Sequence, residues 1–406
     1  MGAGIAGGRL STGAGARAHG LAPLRHPREL CPSLPSDTLP QLLLHLSCRC
    51  VHYACSQEPI AGEFLLIRYH ARDDQPGSFP QAADLYAMYG LLVRSDVPLP
   101  IAPLERKPRP EPELEMVLAS DGGGLAPLEG PVLAEMRCYG RCHEGRVATR
   151  LHQGEDGPWL WHDTVGTFHL LPERRRVEVY PERDVPADIL GHVLLGQVGV
   201  FAVQRLGRPV LHAGAVITDR GAAVFLGDKG QGKTTMLSAF MVRGHAVLTD
   251  DALPLGVSSS GVLGFPGVPV VRLWRHTAVR VLGREEGLHA LIPGYDKHLL
   301  SLEATGAFSE LPASVRAIYL LDRYDPGRWR SDDVVITPLQ GRAALVALTQ
   351  HTALRALLQP EDAARLLPVY SEVVRRVPVR LLSYPSGFEH QDKVYAALLR
   401  DLEGEA

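Results

Sequence analysis

The sequence has no run of about eighteen apolar residues, the length a helix needs to cross a bilayer, so neither a membrane span nor a membrane partner is expected. It has almost no surplus of charge, −3 over 406 residues. A general nucleic-acid binder carries a basic surplus, so no nucleic-acid partner is expected either. Cysteine is sparse: Cys31, Cys48, Cys50, Cys55, Cys138 and Cys142 are the six, and they contain no C-x2-C pair of ribbon or finger type. In a chain of this length with no apolar leader segment they read as free thiols of a reducing compartment, and the expected location is cytoplasmic. Cys48-x-Cys50-x4-Cys55 and Cys138-x3-Cys142-His143 stay open as two halves of a zinc site. No acidic residue precedes Glu29, and Gly, Ala and Arg dominate there. Such a composition buries too little apolar surface to offset its ordering entropy, so disorder is expected for residues 1–40.

The apolar content, 45%, suits one large or two modest domains. From Gly62 to Tyr180, short segments rich in β-branched, aromatic and Leu residues stand between Gly, Pro and Asp breaks: "EFLLIRYHA", "LYAMYGLLVRS", "ELEMVLA", "PWLWHD", "GTFHLLP" and "RRVEVYP". This predicts a β-rich N-terminal domain over residues 60–183, with the proline-rich "VPLPIAPLERKPRPEPELE" as a surface connection. Between Pro186 and Gly207 the period becomes helical, with His192 and Gln197 read as core-edge residues rather than ligands. Two apolar runs then flank Thr218-Asp219-Arg220-Gly221, a hairpin turn signal. Beyond Asp251 short strands alternate with helical stretches, among them "GRAALVALTQHTALRALL", "QPEDAARLLPVYSEVVRRV" and "HQDKVYAALLRDL". The expected fold class is α+β or α/β, with a P-loop catalytic domain over residues 184–406.

The strand after the hairpin turn leads into Gly227-Asp228-Lys229-Gly230-Gln231-Gly232-Lys233-Thr234, followed by Thr235 and a helical run closed by Gly244. This is the pattern of a nucleotide-phosphate loop. Its glycines let the backbone curl around an anion, and the loop N–H groups and helix N-terminus face the phosphates. Lys233 reaches the β- and γ-phosphates of ATP, and the Thr234 hydroxyl holds Mg²⁺. One short helix later, "HAVLTDD" reads as a strand, His245 to Thr249, ending in Asp250 and Asp251. Two carboxylates beside one metal–phosphate group permit a division of labour, one for Mg²⁺ and one for the proton of an attacking hydroxyl. A motor or switch needs only the first, so the pair favours phosphoryl transfer. His212, on the first hairpin strand, is a third catalytic candidate facing the phosphates.

The stretch from Leu211 to Leu255 resembles the catalytic core of HPr kinase/phosphorylase, itself distantly related to the ATP-dependent phosphoenolpyruvate carboxykinases. His212, Gly227, Gly232, Lys233, Thr234, Arg243, Gly244, His245, Asp250 and Asp251 carry the resemblance in order. The flanks "YGLLVRSDVPLPIAPL", "VPVVRLWRHTA" and "DKHLLSL" look like HPr-kinase-like proteins with a β-rich front domain, some of them found in peptide-modification gene clusters. The resemblance implies phosphorylation of a serine on a peptide or protein. Lys233 and Thr234 would hold nucleotide and metal, and Asp250 and Asp251 would serve metal and base. Where the family carries a Glu after the aspartates, "GFPGVPVVRLWR" offers Arg272 and Arg275. Arg272 and Lys297 are candidate phosphate or substrate contacts. A small-molecule kinase of the same fold and a nucleotide-binding regulatory module stay open beside the serine kinase. The family is oligomeric, and no heptad or apolar stripe speaks to this chain's own state.

Overall fold

The computed structural model describes residues 83–105, 110–119, 128, 130–137, 145–282, 288–290, 297–303, 305–325 and 333–404. The expected disordered segment 1–40, the strand-like "EFLLIRYHA" and all six cysteines with their zinc half-sites lie outside the described residues.

Eight strands make the front sheet: β1 (Asp84–Met88), β2 (Leu91–Ser95), β3 (Leu114–Leu118), β4 (Val132–Arg137), β5 (Val147–His152), β6 (Trp159–His162), β7 (Gly166–Leu171) and β8 (Arg176–Pro181). Their order is β1-β2-β3-β8-β7-β6-β5-β4. The β3 strand pairs parallel with both neighbours, and the remaining ladders are antiparallel. "LYAMYGLLVRS" is a hairpin, turned at Tyr89 and Gly90, which both take positive φ (56° and 69°). Strands β4 and β5 were not anticipated; β4 is half exposed and carries little apolar alternation.

Helix α1 (Ala187–Arg205) follows, with Pro186 at its N-cap and a π-turn at Leu194–Val198. By length and composition it could cross a bilayer, but most of it is buried inside the fold. Leu190, Leu194, Val198 and Phe201 share one core with Met88, Val93, Phe168 and Val179 of the front sheet. The approach is close: a Cβ on Gly191 would lie 2.2 Å from the carbonyl oxygen of Pro98. Gln197 is buried and exchanges hydrogen bonds with the Thr149 hydroxyl.

The second sheet begins with the predicted hairpin, β9 (Val210–Thr218) and β10 (Gly221–Leu226), in register Thr218 to Gly221. Helix α2 (Lys233–Met241) comes next, then β11 (Val247–Thr249), β12 (Ala252–Ser258) and β13 (Gly261–Gly264). A separate three-stranded sheet holds β14 (Val270–Trp274), β15 (Leu288–Ala290) and β16 (Lys297–Ser301), in the order β14-β16-β15. The chain then returns to the second sheet with β17 (Ala313–Tyr324), β18 (Val335–Leu339), α3 (Gly341–Gln350), α4 (Pro360–Arg376), β19 (Val379–Pro385) and α5 (Gln391–Glu403). The pairings β10–β9–β12–β13–β17 close on themselves, because β17 also pairs with β10 in parallel. Period-2 alternation along β10 sends Ala223 and Phe225 to one core, with Leu237, Phe240 and Leu398 from α2 and α5. It sends Ala222, Val224 and Leu226 to another, with Leu348 and Tyr370 from α3 and α4.

Two boundaries differ from the sequence pattern. The strand expected from His245 starts at Val247, because the His245 N–H still donates to the Phe240 carbonyl (3.2 Å) as part of the closure of α2. The helical pattern running to Leu358 breaks after Gln350. There His351 and Ala353 pair with β9, through His212 N–H to the His351 carbonyl (2.7 Å) and Ala353 N–H to the Val210 carbonyl (2.8 Å). Sheet pairing overrides the helix propensity of this alanine- and leucine-rich stretch.

Candidate active site

The loop hangs from β10, which is flanked by β9 and β17. Gly230 and Gly232 take φ of +86° and +96°, a region costly for any side-chain-bearing residue. A Cβ on Gly232 would also meet the Tyr384 hydroxyl at 2.6 Å. That hydroxyl, from β19, donates to the Gln231 carbonyl (2.5 Å), and the Gln231 side chain accepts the N–H of Arg323 (2.8 Å). Burial pushes the Tyr384 phenol up, so it stays a neutral donor. Lys233 Nζ donates to the Gly227 carbonyl and closes the loop on itself. Lys233, Thr234 and Thr235 open α2, and the first N–H groups of a helix lack intrahelical acceptors, so they face the loop. Asp228 is 91% exposed.

Asp250 and Asp251 occupy the turn between β11 and β12, and their carboxylates part company. Asp250 is buried. Its Oδ1 accepts from the Thr234 hydroxyl (2.9 Å) and its Oδ2 from the Arg272 N–H (2.9 Å). Burial pushes its carboxyl up; the Arg272 N–H opposes this, and the neighbouring Asp251 adds to it. Asp251 is 44% exposed. Its Oδ1 lies 3.0 Å from His212 Nδ1, and its Oδ2 accepts from the Arg272 guanidinium at 2.9 Å. Burial acts to raise this carboxyl too, but His212, Arg272 and Lys233 outweigh it and hold the group well below the usual carboxylate range. Arg272 therefore holds both aspartates, one with its backbone and one with its side chain. Burial would lower its guanidinium pKa, and the two carboxylates reverse that.

The loop, Asp250, Asp251, His212 and Arg272 thus come together. Lys297 pairs with Trp274 in the β14–β16 ladder, two residues along β14 from Arg272; its side chain lies outside the described parts. Arg243 and His245, two residues of the family resemblance, serve the C-terminal helix instead. His245 bonds the Ile217 carbonyl and the Tyr395 hydroxyl (3.0 and 2.8 Å), and the Arg243 guanidinium lies over the Tyr395 ring and pairs with Asp392. Several neighbours were not foreseen. Tyr89, in the front-sheet hairpin, has its phenol pushed up by burial and further by the charge of Asp251, with Arg272 opposing. His192 of α1 is lowered by burial, and the Arg272 charge adds to this. Tyr384 and His351 border the loop. None of these four carries a local sequence signal, since each arrives from a distant element.

No protein-family model and no curated protein matches the chain. Among solved structures it is similar to the HPr(Ser) kinase/phosphatase from Coxiella burnetii, at 13% identity, over 48% of this chain and 99% of that one, with a TM-score of 0.27. A likeness of that size carries no argument about fold or activity, so the functional reading rests on the site itself.

Proposed function

We propose that this chain is an ATP- and Mg²⁺-dependent phosphotransferase that moves the γ-phosphoryl group to a hydroxyl, a serine of a peptide or protein. The observation that carries the reading is the adjacency of two contacts: Thr234 to Asp250 at 2.9 Å, and Asp251 to His212 at 3.0 Å. A loop with one hydroxyl–carboxylate contact suits a nucleotide switch; a second, differently charged carboxylate beside it suits transfer to an acceptor.

The donor set fits Mg²⁺. Thr234 and Asp250 offer hard oxygen ligands, and this ion is ordinarily held by one or two carboxylates plus substrate phosphates. Among the described residues no group of three or more His, Cys, Asp or Glu gathers as a metal cluster, and such a site does not require one. When bound, the ion would neutralise charge on the phosphates.

The loop N–H groups and Lys233 orient the triphosphate. Transfer forms a bond from the acceptor oxygen to the γ-phosphorus and breaks the one from that phosphorus to the bridging oxygen, releasing ADP. The hydroxyl proton goes to the Asp251–His212 pair. Asp251 stays charged and able to accept, and the His212 Nδ1–H on its Oδ1 orients it. Arg272 fixes both carboxylates.

The test is transfer from γ-labelled ATP with Mg²⁺ to serine peptides and to HPr. Label on serine supports the reading. ATP bound but never consumed with any hydroxyl acceptor would leave a regulatory nucleotide module in its place.

A further inference from the structure

His351 lies beside the phosphate loop without belonging to its motif. Its carbonyl accepts the N–H of His212 at 2.7 Å, so backbone pairing sets it next to the strand that carries the acceptor-side histidine. The ring is 8% exposed. Nδ1 lies 2.8 Å from the Ala347 carbonyl. A carbonyl can only accept, so Nδ1 carries a proton in the neutral ring and in the cation alike. Nε2 is buried and has no hydrogen-bond partner. The Asp228 carboxylate of the loop is 3.8 Å away, beyond hydrogen-bond reach. In the neutral ring, Nε2 is thus an acceptor turned towards another acceptor.

Three charged or titratable groups act on this ring: Asp228 from the loop, Lys233 from α2 and His212 from β9. Burial lowers the imidazole pKa. The Ala347 carbonyl and Asp228 oppose that, and Lys233 and His212 reinforce it. A polyphosphate in the loop changes this balance. It brings several negative charges close to the ring and draws the Lys233 charge onto itself. Both changes favour the cation, in which Nε2 becomes a donor. Asp228, 91% exposed, can turn into solvent as the phosphate takes its place.

We propose that His351 is an additional phosphate ligand of the loop: Nε2 takes up one proton from solvent as the polyphosphate binds and hydrogen-bonds a phosphate oxygen in place of Asp228. No bond to phosphorus forms or breaks in this step, and the proton stays on the ring. The inference rests on the nucleotide reading above and adds to it a residue outside the loop motif.

The test is calorimetric titration with the ATP analogue AMP-PNP and Mg²⁺, in two buffers of different ionisation enthalpy, between about pH 6 and 8. Wild type, His351→Gln and Asp228→Asn are compared. Wild type takes up more protons than His351→Gln, and its affinity falls about tenfold more across that interval, one pK unit of linkage. Asp228→Asn binds more tightly than wild type, because the competing anion is gone. Equal proton uptake and parallel pH profiles in wild type and His351→Gln overturn the proposal while leaving the nucleotide reading intact. If His351→Gln does not fold, Asp228→Asn decides, and unchanged affinity overturns the proposal. Wild type that fails to bind AMP-PNP overturns the nucleotide reading and this inference with it.

Discussion

Two adjacent aspartates differ in environment more than in chemistry. Asp250 is buried against Thr234 and the Arg272 N–H, and its carboxyl is pushed up; Asp251 is half exposed, paired to His212 and Arg272, and pulled down. Their isosteric substitutions should therefore diverge. Asp251→Asn lowers transfer by about 10²–10⁴-fold, the usual worth of a general base, with nucleotide affinity little changed. Asp250→Asn also loses transfer but gains stability. An Asn there can still accept from the Arg272 N–H and donate to the Thr234 oxygen, without a buried charge. The sign follows from linkage: an acid whose folded pKa is raised contributes most when protonated, and that contribution is lost as pH rises through the folded value. The stability advantage of Asp250→Asn over wild type should thus grow from the ordinary carboxylate range upwards, measured by urea unfolding at several pH values. Gly232 gives a second residue-scale prediction. Gly232→Ala costs about 1–3 kcal/mol from its left-handed backbone alone, and adds a clash with the Tyr384 hydroxyl, 2.6 Å from the new Cβ. Tyr384→Phe removes that oxygen, so a double-mutant cycle read by nucleotide affinity should show the two changes to be non-additive.

At the scale of elements, the position of α4 depends on one carboxylate. Asp362 accepts the Gln359 N–H at the helix start (2.9 Å) and pairs with Arg205 of α1 at 2.9 Å, with both side chains largely buried. Asp362→Ala leaves Arg205 buried without its partner and should destabilise by about 3–5 kcal/mol; Asp362→Asn keeps the cap and recovers about 1 kcal/mol of this. The measurement is denaturant unfolding of both variants. Elements also differ in how much of them could be read from sequence. The hairpin β9–β10, the loop and α2 were legible because their signals are local: a turn tetrapeptide, spaced glycines and a closing Gly244, which takes φ +88°. The end of α3 was not, because His351 and Ala353 leave the helix to pair with β9, and nothing within the stretch encodes a strand far earlier in the chain.

For the described molecule, the site lies where two parts meet: the loop-bearing sheet and the β14–β16 sheet that supplies Arg272. Sequence foretold strands at the front, a helix, and a glycine-rich loop with nearby aspartates. It could not foretell the parallel pairing of β10 with β17, since that depends on contacts distant in the chain. The front-sheet core is continuous with α1, so the two should unfold together, and proteolysis between β8 and α1 should not yield a stable C-terminal fragment. The most direct test of the central claim is transfer of γ-labelled phosphate from ATP to a serine acceptor, comparing wild type with Asp251→Asn. Label appearing on serine with wild type, and lost in the variant while nucleotide still binds, is the predicted result. Equal transfer by both proteins would contradict the account.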